Sequence, residues 1–286
     1  MPTLEETFCR PLRAAEFVKI RQLAHDTFGL DLRAGKEALV EARLGKHIRK
    51  TGFRSFEEYY QHVVEDSTGE ELVHLIDCLT TNHTSFFREP AHFDFLRKTF
   101  LPEWKHRGML DLWSAACSTG EEAYSIAMCI LDELGTSAAG RVRILATDIS
   151  TRVLEAAEKG IYPAERLELV SAIQLRAYWL RGENNWAGSY RVKKELREII
   201  DFRRMNLLEL GSQGGLYALI FCRNVMIYFD KPTQERVVQQ LAGRLEPGGY
   251  LLTGHAESLS GIEHGLSYIQ PAVYRKPCGY PEKGKR

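Results

Sequence analysis

The feature that most constrains this chain is a change of hydrophobic period near residue 108. Upstream, apolar residues recur three or four apart: Phe17, Ile20, Leu23, Ala24 and Phe28 in one run, Val40, Leu44 and Ile48 in the next. That spacing places them on one face of an α-helix. Gly29 and Thr51-Gly52 stop these two helices, and Glu70 to Leu79 reads as a fourth. Between them, Ser55 with Glu58 three residues on has the form of a capping box that opens a third helix through Val64. Downstream, short apolar runs at 109–115, 142–147, 216–222 and 250–253 alternate with helical stretches at 121–134, 151–159 and 233–245, and 268–275 reads as a last strand. Apolar strands alternating with helices predict an α/β fold, a doubly wound, mostly parallel sheet covered on both faces.

The two regimes predict a domain order: an N-terminal all-helical domain over 1–80, a linker over 81–95 and an α/β domain over 96–286. One stretch breaks the alternation. Helix-like 164–180 is followed by the turn-rich RGENNWAGS and then by alternating SYRVKKELREIIDFRRM. This predicts a small antiparallel β-subdomain, inserted at about 178–204, outside the main sheet. Insertions of this kind commonly serve recognition.

Composition excludes several classes. Lys plus Arg and Asp plus Glu both number 38, so no global field points to nucleic acid or to a membrane surface. The N-terminus, MPTLEETFCRPLRAAEF, has no basic stretch followed by an apolar core, and no run approaches the roughly 20 apolar residues that span a bilayer. Cys9, Cys78, Cys117, Cys129, Cys222 and Cys278 are scattered without a C-x-x-C pair, which predicts reduced thiols and a cytoplasmic, soluble protein. The nine histidines show no H-E-x-x-H spacing, so no metal is expected.

Four segments carry chemistry-bearing residues at places where a ligand could reach them. The turn after the first strand, WSAACSTGEE over 113–122, is built of small residues at the strand end where α/β sheets hold ligands, yet it lacks G-x-G-x-x-G and so does not suit a pyrophosphate. The competing reading is a tight turn with a capping box from Thr119 and Glu122. Asp148, at the end of the second strand, suits ribose hydroxyls; it would equally serve as an N-cap for the helix over 151–159. TTNHTSFFRE over 80–89 sets Asn, Thr and Arg beside Phe86 and Phe87, whose simpler role is to seal a junction between domains. FCRNVMIYF over 221–229 sets Arg223, Asn224 and Tyr228 among apolar residues, with a core aromatic as the simpler role for Tyr228.

Taken together and in this order, TTNHTSFFRE, LWSAACSTGEEAYSIA, ATDIS, MNLLE and FCRNVMIYFD resemble the chemotaxis receptor glutamate methyltransferases of the CheR type. The resemblance runs over nearly the whole chain. It implies a class I S-adenosylmethionine methyltransferase that makes glutamate methyl esters on chemotaxis receptors. It also implies residue roles: Asn82, Thr84 and Arg88 contact the cofactor from the linker, Glu122 and Asp148 hold its amino-acid and ribose portions or nearby groups, Asn206 and Leu207 flank the adenine, Arg223 and Asn224 line the crevice, and Arg88 and Tyr228 sit near the transferred methyl. His83 and Cys117 are expected to be packing or supporting residues. The runner-up is a class I methyltransferase acting on another protein or on a small-molecule carboxylate.

The second helix bears on the partner. Arg43, Lys46 and Lys50 fall at helical spacing away from Val40, Leu44 and Ile48, with Arg49 and Arg54 extending the patch. The resemblance implies an acidic helical receptor region that such a face would meet, whereas a charged face is otherwise simply solvated. It also admits a receptor C-terminal peptide added as a strand to the inserted hairpin. Neither nucleic acid nor direct membrane insertion is expected.

Overall fold

The computed structural model describes residues 10–211 and 215–279. These divide into two compact units, one built from residues up to 82 together with 228–233, the other from 83–227 and from 234 onward.

The first unit holds four helices: α1 (Ala14–Phe28), α2 (Glu37–Thr51), α3 (Phe56–Glu65) and α4 (Glu70–Leu79). The apolar stripes predicted from the sequence form its core, with Ile20, Ala24, Val40, Leu44 and Ile48 wholly buried and Phe56 and Tyr59 beside them. Truncating Ile20, Leu44 or Ile48 to alanine costs about 2–5 kcal/mol. Gly29 and Gly52 end α1 and α2 in the left-handed conformation that glycine adopts without a Cβ clash. Ser55 caps α3 by accepting from the Glu58 N–H at 3.1 Å, but the expected box is only half made: the Glu58 carboxylate accepts from the Arg54 N–H, one residue further out.

Segment 228–233 completes this unit. Phe229 forms an isolated antiparallel bridge with Leu30, and the Asp31 N–H donates to the Tyr228 carbonyl at 2.7 Å. His25 Nε2 lies 3.1 Å from Asp230 Oδ2, and that hydrogen bond raises the His25 pKa above its ordinary value.

The second unit starts with α5 (Pro90–Phe95) and α6 (Leu101–Trp104), then alternates β1 (Leu110–Ala115), α7 (Glu121–Leu134), β2 (Val142–Asp148) and α8 (Thr151–Lys159). Next come β3 (Ile161–Pro163), α9 (Ala172–Tyr178), β4 (Trp179–Arg181), β5 (Ser189–Val192), α10 (Lys194–Arg197) and β6 (Ile200–Arg204). The chain closes with β7 (Tyr217–Cys222), α11 (Lys231–Arg244), β8 (Leu245–Thr253), β9 (Ser267–Gln270) and β10 (Val273–Arg275). The main sheet has the order β6-β2-β1-β7-β8-β10-β9, parallel from β6 to β8. The doubly wound, mostly parallel class read from the alternation is therefore what forms. Leu219, Ile220 and Phe221 on β7 are wholly buried, as a central strand covered on both faces requires.

Three expectations need correction. The tail over 268–275 is two antiparallel strands rather than one, reversed at Ala272, whose φ is +62°. The helix-like run 164–180 is split by Ser171, which makes a full capping box with Gln174 and starts α9; Trp179 then turns extended into β4. The inserted subdomain is a three-stranded sheet, β3-β5-β4, that begins as early as Ile161, while Ile200–Arg204 leaves it to pair parallel with β2. Ile200 is buried and Phe202 half-buried between exposed Asp201 and Arg203, so an edge strand of the main sheet carries the same alternation as a free hairpin.

Phe86 and Phe87 both belong to the core of this second unit. Phe86 meets Tyr162 and Trp179 edge to face, with ring centroids 5.0 and 5.3 Å away, and Phe87 meets Phe93. No helix among the described residues is long and apolar enough to cross a membrane.

Candidate active site

Strand order reverses direction at β1, which sends one crossover to β2 and has β7 on its other side. Ligands of open α/β sheets bind outside the carboxyl ends of the strands at such a point. Here the turn after β1 takes positive φ at Ala116, Ser118 and Gly120. Gly120 must remain glycine, since a Cβ would lie 2.8 Å from the Ala157 methyl and 3.1 Å from the Tyr162 hydroxyl. The turn is tied to the next strand through Asp148, whose Oδ2 accepts from the Ser118 N–H at 2.9 Å and whose Oδ1 accepts from the Ser150 N–H at 3.0 Å. The N-cap of α8 is Ser150, not Asp148. The Met205 N–H donates to the Asp148 carbonyl, which brings Asn206 and Leu207 beside the same strand end.

Across the switch point lies a buried ion network. Arg223, its side chain 2% exposed, donates from Nη1 to Glu122 Oε2 and from Nη2 to Glu89 Oε2, both at 2.9 Å, and from Nη2 to the Arg88 carbonyl at 2.6 Å. Glu122 is therefore not the second half of a capping box with Thr119: Gly120 is the N-cap of α7, and the Glu122 carboxylate turns inward to Ser114 Oγ at 2.7 Å and to Arg223. Burial pushes the Glu122 pKa above its ordinary value despite Arg223. For Glu89, burial pushes upward but the adjacent Arg223 outweighs it, leaving the pKa below the usual range. His92, buried beside them, is held neutral with its pKa down at about 3, by burial first and then by Arg223.

A second carboxylate organises the turn after β7. Glu257, 6% exposed, accepts from the Asn224 and Gly254 N–H groups at 2.7 Å and from the Ile227 N–H at 3.2 Å. It thereby holds Asn224 at a φ of +61°. Gly254 is required beside it, because a Cβ there would come within 2.6 Å of the Glu257 carboxylate. Glu89 and Ser114 lie in segments singled out in the sequence, TTNHTSFFRE and WSAACSTGEE, but received no role there. Glu257 was missed, and nothing in GHAES marks it before the fold is known.

The structure thus brings Glu122, Arg223 and Asn224 together around Glu89, and Asp148 together with the 205–207 segment. Thr84 is buried. Arg88 is partly exposed and donates from Nη1 to the His83 carbonyl at 2.9 Å; His83 itself is exposed rather than packed. Cys117 is buried, and burial drives its thiol pKa well up, so it is inert packing. Asn82 and Tyr228 belong to the helical unit. Asn82 Nδ2 donates to Asp77 at 3.1 Å, and the Tyr228 hydroxyl accepts from the Thr81 N–H at 3.1 Å and donates to its carbonyl at 3.2 Å. Of the basic face of α2, Lys46, Arg49 and Lys50 are exposed, but Arg43 is not a free charge: it donates to the Leu79 carbonyl and to Thr81 Oγ1, closing the end of α4.

This arrangement suits a cationic, ribose-bearing cofactor. Three carboxylates, Glu89, Glu122 and Asp148, stand against one guanidinium, and the small-residue turn between them admits a ligand close to the backbone. S-adenosylmethionine, with its ammonium, sulfonium and ribose and no pyrophosphate, has that chemistry.

Comparison with known proteins agrees. Residues 82–274 match the family described as CheR methyltransferase, SAM binding domain, and residues 15–80 match CheR methyltransferase, all-alpha domain. A chemotaxis protein methyltransferase of Klebsiella aerogenes is 42% identical over 265 residues, covering 92% of this chain and 90% of its own. Chemotaxis protein methyltransferase 2 of Pseudomonas aeruginosa is 40% identical over 260 residues, covering 91% of this chain and 92% of its own. The chemotaxis protein methyltransferase of Escherichia coli is 40% identical over 264 residues, covering 92% and 91%. With residues 15–80 and 82–274 matching the two domains of one family, and relatives at 40–42% identity over nine-tenths of the chain, this chain belongs to the CheR methyltransferase family.

Proposed function

We propose that this enzyme methylates glutamate side chains of chemotaxis receptors, giving glutamate methyl esters. The observation that carries the reading is the buried Glu122–Arg223–Glu89 network at the switch point, next to Asp148, in a chain of this family. Bound S-adenosylmethionine supplies an electrophilic methyl group. Glu122, a buried acceptor, faces its ammonium, Asp148 retains acceptor capacity for ribose hydroxyls, and Leu207 offers an apolar face to the base. Thr84, Asn206, Arg223 and Asn224 shape the walls. The roles of Asn82 and Tyr228 rest on the likeness of their motifs.

A glutamate side chain has an ordinary pKa of about 4.3, so it meets the enzyme already ionised and needs no general base. Neutral, buried His92 accordingly has no proton to take. The task left to the protein is orientation, which in favourable cases lowers a barrier by about 7–11 kcal/mol. Arg88, partly open to solvent, would hold the incoming carboxylate in line; a tighter ion pair would blunt it as a nucleophile. Exposed Lys46, Arg49 and Lys50 on α2 would meet an acidic receptor helix. The three-stranded sheet offers edge strands β3 and β4 for an added receptor peptide.

The test of the site is calorimetry with S-adenosylhomocysteine on Glu122→Ala and Asp148→Asn. Each variant is expected to bind at least about tenfold more weakly, since each loses a charged hydrogen bond worth about 1.5–3 kcal/mol. Unchanged affinity in both folded variants would remove the crevice as the cofactor site.

A further inference from the structure

Among the described residues, one group of three side chains has the donor set and spacing of a metal site: Glu89, His92 and His255. One ligand atom from each lies within 4.8 Å of the other two. Three points no more than 4.8 Å apart sit within about 2.8 Å of a common centre, against the roughly 2.0–2.2 Å of zinc bound to imidazole and carboxylate. Closing that gap takes less than about 1 Å per ligand, and the exposed His255 side chain can supply most of it.

A second observation points the same way. His92 is 1% exposed, and neither of its ring nitrogens has a hydrogen-bond partner. Its Nδ1 lies 3.4 Å from Glu89 Oε2 without making a hydrogen bond, and its ring sits 4.9 Å from that of His255. A buried imidazole with two unmet nitrogens costs stability unless something else engages it. The network above used His92 neither as acid nor as base.

We propose that Glu89, His92 and His255 form a divalent-cation site suited to zinc, and that a cation bound there draws Glu89 away from Arg223 and weakens cofactor binding. Two imidazole nitrogens and one carboxylate oxygen are a borderline donor set that zinc accepts readily, with a fourth position left to solvent on the exposed His255 side. The Glu89 oxygen facing His92 Nδ1 at 3.4 Å is Oε2, and the carboxylate can turn because Oε1 holds only two long contacts, 3.4 Å each, to Asn224 Nδ2 and the His255 N–H. Arg223 holds that same Oε2 at 2.9 Å. The guanidinium and the cation therefore compete for one carboxylate, and Arg223 in turn fixes Glu122. The antagonism rests on the crevice being the cofactor site; the metal site does not.

The test uses the full chain freed of metal with a chelator. Zinc is titrated against a chromophoric competitor, and S-adenosylhomocysteine affinity is measured with and without one equivalent of zinc. Wild type is expected to bind one equivalent, His255→Ala to bind at least about tenfold more weakly with its metal-free cofactor affinity intact, and His83→Ala, outside the cluster, to behave as wild type. Zinc is expected to lower cofactor affinity in wild type and not in His255→Ala. Cobalt should give the spectrum of a nitrogen- and oxygen-ligated ion without thiolate charge transfer. Failure to bind one equivalent, or equal binding by His255→Ala and His92→Gln, would overturn the site. Zinc binding with unchanged cofactor affinity would overturn the antagonism.

Discussion

Replacing Arg223 with Met removes the one guanidinium that Glu89 and Glu122 share. In the native protein its side chain is 2% exposed and bridges the two carboxylates at 2.9 Å each. Removing one partner of a buried ion pair costs about 3–5 kcal/mol because the other charge is stranded; with two carboxylates stranded, the upper part of that range is expected at pH 7.5. The penalty has a predictable pH dependence. Glu89 sits below its ordinary pKa, so its contribution to native stability is present above the unfolded value and is lost only as pH falls through the lower folded one. Between pH 7.5 and 5.5 that contribution is constant in wild type. In Arg223→Met, burial is no longer opposed, both pKa values rise, and protonation relieves the stranded charges as the pH drops. Each bound proton recovers about 1.4 kcal/mol per pH unit below the raised value. Urea unfolding of both proteins should therefore give a difference of about 3–5 kcal/mol at pH 7.5 that shrinks by at least about 1 kcal/mol at pH 5.5. A difference under about 1 kcal/mol, or one that does not change with pH, would refute the network as described.

Three further perturbations test the turn after β7, the basic face of α2 and the His25–Asp230 pair. Glu257→Ala leaves the Asn224, Gly254 and Ile227 N–H groups without their acceptor; at about 1–3 kcal/mol per orphaned donor, less what water recovers, unfolding should show a loss of about 3 kcal/mol or more with weaker cofactor binding. Lys46→Glu with Lys50→Glu should cut receptor methylation at low salt and leave cofactor affinity untouched, with the gap closing as salt screens the encounter; equal rates at every ionic strength would rule out docking by this face. His25 is raised, first by its hydrogen bond to Asp230, so its stabilisation is complete below the ordinary pKa of 6.5 and is lost as pH rises through the raised value; His25→Gln should flatten that pH dependence by no more than about 1 kcal/mol, since the pair is partly exposed.

The helical stripes and the strand–helix alternation were legible because burial on one face or on both writes a period into the chain. Glu70–Leu79, Glu121–Leu134 and Thr151–Lys159 form at the boundaries read from that period. Pairing partners were not legible. Ile200–Arg204 alternates as a free hairpin would, and only its register with Ile144–Asp148 shows that it closes the main sheet. Side-chain direction was also hidden: Thr119 and Glu122 have the spacing of a capping box, but the left-handed Gly120 turns Glu122 toward Arg223, 101 residues away. Long-range pairs of this kind, like Glu257 with the 224–227 turn, leave no local pattern, so the half of the site that depends on them appears only in the folded chain.

Carboxyl methylation is tested most directly by a transfer assay with methyl-labelled S-adenosylmethionine and a receptor cytoplasmic fragment, scored for label released by mild base and mapped to peptides. Base-labile label is expected on glutamate-bearing receptor peptides, reduced at least about tenfold in Asp148→Asn at cofactor concentrations below saturation. Base-stable label would exclude carboxyl methylation, and cofactor binding with no label on any receptor fragment would move the substrate to another carboxylate.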